Sequence, residues 1–372
     1  SRRQRQMCIR DSSFLMCPFN ALGTAMLSYC GQNYGAAKTE RIKKGVAQLS
    51  TKENILALFE ANKGIYFSGE EIAVQLSVSR AAVWKAVNAL RSDGYVIDAV
   101  PNKGYRLSMN TDILSVQGIE KYLDPQNRQL TIQVLPEVSS TNTMLREKAN
   151  EEIPEGYVII ANGQTEGRGR RGRSFYSPVD TGIYLSILLR PKEIATNELT
   201  NLTSMAAVAA CETIEEVSGQ KPGIKWVNDI YIDGRKVSGI LTEASISMEN
   251  GSVEYVVVGI GFNVYLPEDG FSGEIKDIAG AIFDRRKDDG KNLLVAGFLN
   301  HFMNYYAEFD KKDYVKKYQE RSLVVGKEIT VLAPSGSRKA FALEVDDTCA
   351  LIVQYEDRST ERLNSGEISI RG

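Results

Sequence analysis

The chain has 372 residues, with 45 Lys and Arg residues against 47 Asp and Glu residues and a formal net charge of −2. At roughly 100–200 residues per domain, this length predicts two or three domains. The near-zero charge excludes a global polybasic field, so any contact with nucleic acid has to be local.

Cysteine usage and hydropathy limit the class of protein further. The five cysteines are scattered and form no C-x-x-C pair, so they predict neither a metal knuckle nor a disulfide framework, and a reducing cytoplasm is the expected location. No apolar run approaches the roughly 18 residues that a membrane span requires, and no membrane partner is expected. The single histidine, His301, is the only one that a Ser/His/Asp triad could use, and its context "NHFMNYYAEF" predicts a helix residue instead.

Residues 1–48 differ in pattern from the rest of the chain. "SRRQRQMCIRDS" is basic and aperiodic, and the following apolar stretch is interrupted by Pro18 and Asn20. The stretch lacks the clean apolar core and small-residue cleavage site of a signal peptide. We therefore expect residues 1–48 to be a leader of doubtful origin that is not part of the fold.

Residues 49–110 predict a winged helix-turn-helix domain. "TKENILALFEANKG" and "SGEEIAVQLSVS" have helical spacing, and "SRAAVWKAVNALRSDG" has Ser79 as its predicted N-cap and stops at Gly94. "YVIDAVPNKGYRLS" reads as two strands around the turn "PNKG", with Lys103 and Arg106 near its tip. Two helices joined by a tight turn, followed by a hairpin, are typical of this DNA-binding fold.

The third helix carries a polar face opposite its apolar stripe. Such a face can reach base edges and phosphates in the major groove, with the wing contacting the backbone. Because the segment has no strong positive charge, one copy should bind operator DNA weakly, and a dimer on a two-part site is expected. A winged helix used for protein contacts is the alternative. The predicted DNA-binding residues are Ser79, Arg80, Trp84, Lys85, Asn88 and Lys103.

Residues 111–320 predict an α+β domain on a mixed, largely antiparallel sheet. Stretches rich in β-branched and aromatic residues, such as "TGIYLSILLRP", "IKWVNDIYID" and "EYVVVGIGFNVY", read as strands. "TNTMLREKANEE" reads as a helix capped by Thr141 or Asn142, and the longer "NELTNLTSMAAVAACETIEEVSG" as one that ends at Gly219. Asp233-Gly234 predicts a hairpin turn.

The stretch "GRGRRGR", residues 167–173, is the most unusual local feature. It fits G-x-G-x-x-G, but a dinucleotide loop opens a helix and here a strand follows, and no G-x-x-x-x-G-K-[ST] phosphate loop occurs in the chain. An RNA-binding arginine-glycine tail would be longer. Glycines allow close approach of backbone N–H groups, and arginines make bidentate contacts with carboxylate or phosphate. The stretch therefore predicts an anion-binding loop that is mobile when empty and ordered by negative charge.

Residues 321–372 predict a third, smaller domain. "VVGKEITVLAPSGSRKAFALEVDDTCALIVQYEDRSTERLNSGEISIRG" gives short strands separated by Gly and Asp turns. This pattern is typical of a small β-barrel of the SH3 type. The chain as a whole is therefore expected to be a multidomain α+β protein.

Four motifs in order resemble the biotin protein ligase family. They are "SSTN" (139–142), "GQTEGRGRRGRSFYSP" (163–178), "KWVNDIYIDGRKVSGIL" (225–241) and "VGIGFNV" (258–264). The preceding winged helix resembles that of the bifunctional form, which is also the biotin operon repressor. The resemblance covers the chain from about residue 51 onwards.

The resemblance implies an ATP-dependent ligase. Biotin and ATP give biotinyl-5′-adenylate, and biotin then passes to one lysine of a biotin carboxyl carrier protein domain. Mg²⁺ and fixed cations would cancel the repulsion between biotin carboxylate and α-phosphate. The implied biotin-binding residues are Ser140, Thr141, Gln164, Gly167, Arg168, Lys236 and Gly239.

The resemblance also implies the residues that carry out the reaction. Arg170, Lys236 and Asp229 would be catalytic, with Asp229 also a magnesium ligand. Phe175 stands where the family often has a tryptophan that stacks on adenine, so weaker ATP binding is expected, and the role of Glu166 is open. The implied ATP-binding residues are Arg170, Arg173, Phe175, Lys225, Asn228, Asp229 and Asn263.

The resemblance also implies a way of regulating the protein, and two other functions remain as alternatives. The resemblance implies that adenylate orders the loop and promotes a homodimer on operator DNA. A non-catalytic biotin-sensing repressor and a lipoate–protein ligase of the same fold are the alternatives. The C-terminal domain would assist ATP and carrier engagement, or serve stability alone.

Overall fold

A computed structural model describes residues 51–370, apart from residues 152, 193, 250, 334 and 335. The predicted leader, residues 1–48, lies outside the described residues. Contacts divide the chain into two units, and the boundary along the chain lies between Thr111 and Asp112.

The first unit has the predicted winged helix-turn-helix. Its helices are α1 (Thr51–Ala61), α2 (Gly69–Gln75) and α3 (Arg80–Ser92), followed by the antiparallel strands β1 (Ile97–Val100) and β2 (Gly104–Leu107). A Ser68/Glu71 capping box starts α2, and the Ser79 hydroxyl accepts the Ala82 N–H at the start of α3. The apolar stripe of each helix is buried in one core, which includes Ile55, Phe59, Ile72, Val83, Val87 and Leu90.

A seven-stranded mixed sheet forms the centre of the second unit. Its order is β3-β4-β5-β9-β8-β7-β6, and only the β3–β4 pair is parallel, as the strand pattern predicted. The strands are β3 (Thr131–Leu135), β4 (Tyr157–Ala161), β5 (Gly182–Leu189), β6 (Gly223–Lys225), β7 (Asp229–Ile232), β8 (Arg235–Ile246) and β9 (Val253–Asn263).

Helices cover both faces of this sheet. The remaining helices are α4 (Val116–Glu120), α5 (Thr141–Ala149), α6 (Leu199–Ser218), α7 (Gly290–Ala307) and α8 (Tyr314–Glu320). Along β4, Val158 and Ile160 join the core of α6 and α7, whereas Ile159 joins the core of α5, because successive strand residues face opposite sides. The sheet therefore lies between two helical layers.

Two local predictions need correction. The N-cap of α5 is Ser140, not Thr141 or Asn142, because Ser140 has extended backbone angles and its hydroxyl accepts the Thr143 N–H. The stretch "IKWVNDIYID" is not one strand: β6 and β7 pair with each other as an antiparallel hairpin, with Trp226–Asn228 between them. The apolar pattern did not show this reversal because both arms carry buried apolar residues, such as Ile224 and Ile230. The Asp233-Gly234 turn between β7 and β8 is as predicted.

The C-terminal strands form a five-stranded antiparallel sheet within the second unit. The strands are β10 (Glu328–Ala333), β11 (Gly336–Val345), β12 (Leu351–Tyr355), β13 (Thr360–Leu363) and β14 (Glu367–Ile370), in the order β13-β12-β11-β10-β14. The Trp226 indole donates to the Cys349 carbonyl at 3.0 Å, and the Ile224 N–H donates to the Arg321 carbonyl at 2.7 Å. These bonds anchor the C-terminal sheet beside the β6–β7 reversal.

Among residues 51–370, no helix combines the length and the apolar character that would let it cross a bilayer.

Candidate functional site

A cavity of about 680 Å³ opens on the second unit. Its walls come from the start of α5, the arginine-glycine loop, strands β6 to β9 and the start of β14. Motifs that are far apart in sequence therefore contribute to one site.

Glycines make the floor of the cavity. Gly239 of β8 and Gly261 of β9 are direct cross-strand partners, and the Phe175 ring packs over both of them. A Cβ atom on Gly261 would lie 2.5 Å from that ring. A Cβ atom on the neighbouring Gly259 would lie 2.0 Å from the Asn142 side-chain oxygen. Only glycine permits these approaches.

One end of the cavity, here called the acyl end, is neutral and polar. It is formed by Ser140, Thr141 and Gln164, and both Ser140 and Thr141 are buried at the first turn of α5. The Thr141 N–H donates to Gln164 Oε1 at 2.9 Å, and Gln164 Nε2 donates to Ser177 Oγ at 3.1 Å. The amide of Gln164 is therefore held between two partners.

Behind the acyl end lies a second polar layer that the sequence interpretation missed. Ser186 Oγ lies 2.8 Å from Thr141 Oγ1 and 2.6 Å from Asn142 Oδ1, and both residues are buried. Asn142 Nδ2 donates to Glu243 Oε2 at 2.9 Å. Asn142 stands in "SSTN", but nothing in the sequence pairs it with Ser186, which is the one polar residue inside an apolar strand.

The arginine-glycine loop folds as a narrow hairpin. The Gly169 N–H donates to the Arg173 carbonyl at 2.7 Å, and the Phe175 N–H donates to the Gly167 carbonyl at 2.8 Å. Arg171 at the tip has a φ of 55°. Gly167 has no room for a side chain, because a Cβ atom there would lie 2.3 Å from the Phe175 carbonyl oxygen.

The other end of the cavity, here called the phosphate end, is cationic. Arg170 Nη1 donates to Asn228 Oδ1 at 3.2 Å, and Lys236 Nζ lies 2.7 Å from Asp229 Oδ1. Burial, and then the neighbouring Arg171, lower the pKa of the Arg170 guanidinium below its ordinary value. Arg170 stays charged, since a guanidinium does not deprotonate in proteins.

Two further arginines are bound by a carboxylate from the C-terminal sheet. Arg173 Nη2 lies 2.5 Å from Glu367 Oε1, and Arg171 Nη1 lies 3.8 Å from Glu367 Oε2. The sequence predicted phosphate contacts for Arg173 and did not predict Glu367, which follows Ser365 and Gly366 at the start of a strand. No local signal in the sequence links position 367 to the loop.

Lys225, Asn228 and Asn263 also line the phosphate end. Burial lowers the pKa of the Lys225 ammonium group, and nearby Lys236 adds to the effect. Asn228 Nδ2 donates to the Ile240 carbonyl at 2.8 Å, and Asn263 Nδ2 donates to the Lys236 carbonyl at 3.3 Å. These two amides brace the strands that carry the lysines.

The structure brings nearly all predicted ligase residues to this one cavity. Gly167 is not a wall residue but packs directly behind the wall, against Gln164 and Ser177. Glu166 is exposed outside the cavity wall. Within the described ranges, no group of three or more His, Cys, Asp or Glu residues could hold a metal ion by itself. The wall residues that the sequence predicted are Ser140, Thr141, Gln164, Arg168, Arg170, Arg173, Phe175, Lys225, Asn228, Asp229, Lys236, Gly239 and Asn263.

The predicted DNA-binding residues lie on α3 and the wing. The Trp84 side chain is 62% exposed, Lys85 is exposed, and Asn88 is half-buried one turn after Trp84. Arg80 Nε lies 3.6 Å from Glu70 Oε2, and the Ser79 hydroxyl is used in capping. Lys103, in the turn between β1 and β2, is exposed, with its Nζ 5.8 Å from the Tyr66 ring centroid.

Comparison with known families defines the class of protein. Residues 134–263 match the Biotin/lipoate A/B protein ligase family, residues 51–106 match an HTH domain, and residues 324–371 match the Biotin protein ligase C terminal domain. The class is therefore a biotin/lipoate-type ligase domain preceded by a helix-turn-helix domain.

Individual relatives match this chain along nearly their whole length. Bifunctional ligase/repressor BirA of Bacillus subtilis is 32% identical over 86% of this chain and 98% of its own sequence, and that of Bacillus spizizenii is 33% identical over the same shares. The solved biotin protein ligase from Aquifex aeolicus in complex with biotin and ATP is 28% identical, has a TM-score of 0.54, and covers 65% of this chain and 98% of its own. This chain belongs to the family of bifunctional ligase/repressor proteins.

Proposed function

We propose that this chain is an ATP-dependent biotin protein ligase that also acts as a biotin-responsive transcriptional repressor. The observation that carries the ligase activity is a single cavity whose one end is neutral and hydrogen-bonding and whose other end holds Arg170, Arg173, Lys225 and Lys236. This division suits an acid with a polar neutral ring and an anionic tail that reacts with a nucleotide phosphate.

The acyl end is proposed to bind the ureido ring of biotin. Ser140, Thr141 and Gln164 provide hydroxyl and amide groups there. Arg168 is exposed at the rim and Gly167 fixes the backbone beside it. We propose that these two residues close over the ring.

The reaction step is proposed to occur where Arg170 and Lys236 face the cavity. The biotin carboxylate attacks the α-phosphate of ATP, a P–O bond forms, and pyrophosphate leaves. Both reactants are anions, so fixed cations lower the barrier by neutralising charge that is brought together in the transition state. Asp229, 2.7 Å from the Lys236 ammonium, holds that cation in place.

The nucleotide is proposed to occupy the phosphate end. Arg173 and Lys225 would bind its phosphates, Asn228 and Asn263 would support the site, and the half-buried Phe175 ring would contact adenine. Since Arg173 is paired with Glu367, phosphate binding has to replace that ion pair.

Magnesium is proposed to enter with the nucleotide. Mg²⁺ usually binds through one or two carboxylates together with substrate phosphates and waters, and Asp229 is a cavity-wall carboxylate among phosphate-binding cations. Asp229 therefore fits a site that ATP completes. The ion would supply additional neutralisation of phosphate charge.

Transfer to protein is the second proposed step. A lysine amine of a biotin carboxyl carrier protein domain attacks the acyl carbon of the adenylate, and AMP leaves with the electron pair of the broken bond. The adjoining C-terminal sheet, which reaches the cavity through Glu367, is positioned to take part in carrier engagement.

Repression is proposed to use the winged helix on operator DNA. Arg80, Trp84, Lys85 and Asn88 of α3 would face the major groove, with Ser79 at its N-terminus and Lys103 on the wing. We further propose that the adenylate-bound chain is a homodimer located in the cytoplasm. Sedimentation with and without biotinyl-5′-adenylate tests this, and an unchanged monomer in both conditions would contradict it.

An adenylation assay tests the ligase proposal directly. The chain is incubated with ATP, Mg²⁺ and either biotin or lipoate, and the acyl-adenylate is detected by mass. Biotin is expected to react. If lipoate alone reacted, lipoate and not biotin would be the substrate. Labelling of a carrier domain distinguishes a ligase from a non-catalytic biotin-sensing repressor.

A further inference from the structure

The β6–β7 reversal supplies much of the phosphate end of the cavity. Lys225, Trp226, Asn228 and Asp229 are all wall residues, whereas Val227, in the middle of the reversal, is buried behind the wall. Side chains on a short connection are placed accurately only when other groups hold its backbone. The contacts that hold Val227 and Asn228 therefore decide how the phosphate end is arranged.

On the side of β8, two hydrogen bonds hold Asn228. The Ile240 N–H donates to the Asn228 carbonyl at 3.0 Å, and Asn228 Nδ2 donates to the Ile240 carbonyl at 2.8 Å. A carbonyl only accepts, so the amide group of Asn228 points to Ile240 and its Oδ1 atom is left for another donor. Arg170 Nη1 donates to that oxygen at 3.2 Å. The placement of Arg170 therefore depends on the placement of Asn228.

The hydroxyl of Tyr318 holds the same reversal from behind the cavity wall. Tyr318 belongs to α8 and is fully buried, and its hydroxyl donates to the Val227 carbonyl at 2.9 Å. Burial raises the pKa of this hydroxyl well above its ordinary value, so the group stays protonated and remains a donor. The Val227 carbonyl and the Asn228 nitrogen belong to one peptide unit, so this bond fixes the plane from which Asn228 extends.

A second buried tyrosine of α8 provides a contrast. Tyr314 is 1% exposed, and its ring packs edge-on against Tyr305 with a centroid distance of 6.2 Å. Its hydroxyl has no hydrogen-bond partner among the residues that the structure describes. One helix thus buries two tyrosines, and of these two it is Tyr318 that bonds the reversal.

We propose that Tyr318 is a positioning residue for the nucleotide step, which fixes Asn228 through the Val227 carbonyl and thereby holds Arg170 at the phosphate end. Tyr318 lies outside the cavity wall and acts through these residues. A buried carbonyl that loses its donor has to find another, and rotation of its peptide unit would carry Asn228 with it. The inference rests on the proposed function, in which Arg170 and Asn228 serve ATP and the adenylate.

Tyr318→Phe tests the proposal in the full chain, because it removes the hydroxyl and keeps the ring. The KM for ATP in biotinyl-5′-adenylate formation should rise about 10-fold, as expected for loss of one buried hydrogen bond. The Kd for biotin, measured by calorimetric titration without ATP, should stay within about twofold, because the acyl end does not include the reversal. Equal weakening of both ligands, or of neither, would overturn the positioning role.

Tyr314→Phe is the matched control. It removes the same group from the same helix without breaking a hydrogen bond among the described residues. The KM for ATP and the Kd for biotin should both stay within about twofold of the wild type. A rise in the KM for ATP as large as that of Tyr318→Phe would show that any change in α8 disturbs the nucleotide site, and the proposal would fail.

A double-mutant cycle tests the route through Asn228. In an Asn228→Ala background, Tyr318→Phe should raise the KM for ATP by less than about twofold more, because the side chain that passes on the effect is already gone. Independent effects that multiply in the double variant would contradict this route.

Failure of this inference and failure of the proposed function give different results. A lower melting temperature of Tyr318→Phe with an unchanged KM for ATP would assign the hydroxyl to stability alone and leave the ligase proposal standing. Wild-type protein that forms no biotinyl-5′-adenylate would overturn the proposed function itself.

Discussion

The two ends of the cavity differ in how their polar and charged groups are held. At the acyl end, Ser140 and Thr141 are buried and their hydrogen bonds run to backbone and amide partners. At the phosphate end, Arg171 and Arg173 are exposed and share a carboxylate, Glu367. Neutral groups can be buried in a finished arrangement, whereas several cations close together need counter-ions until an anion arrives.

One site can therefore combine an end with fixed hydrogen-bonding groups and an end whose ion pairs can exchange partners. In the proposed function, fixed dipoles at the acyl end select a ring by the position of its donors and acceptors. Long charged side chains on a glycine-rich loop can exchange Glu367 for phosphate without rebuilding the fold. The predicted mobility of the empty loop agrees with this division and stays a prediction.

Gly259→Ala should give the largest loss of biotin affinity, because the added methyl group disrupts the fixed hydrogen bonds of the acyl end. The new Cβ would lie 2.0 Å from Asn142 Oδ1, so Asn142 has to move and the bond to Ser186 is lost. Biotin affinity, measured by calorimetry, should fall at least about 100-fold.

Gly169→Ala in the loop is the matched comparison. A Cβ atom there would come no closer than 3.4 Å to a neighbouring atom, the Arg173 carbonyl oxygen, and biotin affinity should change less than about fivefold. Equal losses in the two variants would remove the distinction between a rigid and an adaptable end.

Arg170→Ala should give the next largest effect and act on the reaction intermediate. Loss of the charged hydrogen-bonding group should speed dissociation of biotinyl-5′-adenylate about 50- to 100-fold, as measured by release of labelled adenylate. Arg338→Ala, an exposed arginine paired with Asp357 in the C-terminal sheet, is the control. Wild-type release from the Arg170 variant would contradict its assignment.

Ionic strength should have a smaller effect, and it should weaken ATP binding more than biotin binding. Raising ionic strength from about 0.05 M to about 0.5 M shortens the screening length and should raise the KM for ATP about fivefold. Biotin affinity should change less than the KM for ATP, by about twofold, since only its carboxylate meets charged groups and its ring contacts are neutral and buried. Equal salt dependence would show that charge governs both ends.

The smallest expected effect is an alkaline change in ATP binding. The Lys225 pKa is lowered from its ordinary 10.5, mainly by burial, so the phosphate-binding charge is lost at a lower pH than for an exposed lysine. The KM for ATP should therefore rise about threefold as the pH passes through that lowered pKa.

Lys225→Arg keeps its charge and should remove the alkaline rise. Lys339→Arg, at an exposed position of β11, should leave it in place. A rise that persists in the Lys225 variant would assign the titration to another group.

The sequence by itself determined most of the secondary structure and the membership of the site. Periodicity and caps identified helices in both units because these signals are local: Ser79 caps α3 of the winged helix, and Gly219, with a φ of 73°, ends α6 of the second unit. The four motifs indicated the cavity-wall residues because each motif is contiguous. The sequence predictions were wrong at element boundaries, such as the N-cap at Ser140 and the chain reversal between β6 and β7.

Only the tertiary structure decided which groups meet across the site. Glu367 reaches the arginine loop from a strand about 200 residues later, and no local pattern encodes that ion pair. Ser186 appeared as one polar residue in an apolar strand, and its meaning depends on Thr141 and Asn142 lying against it from another element. Residue types set what a side chain can donate or accept, but packing decides which partner it meets.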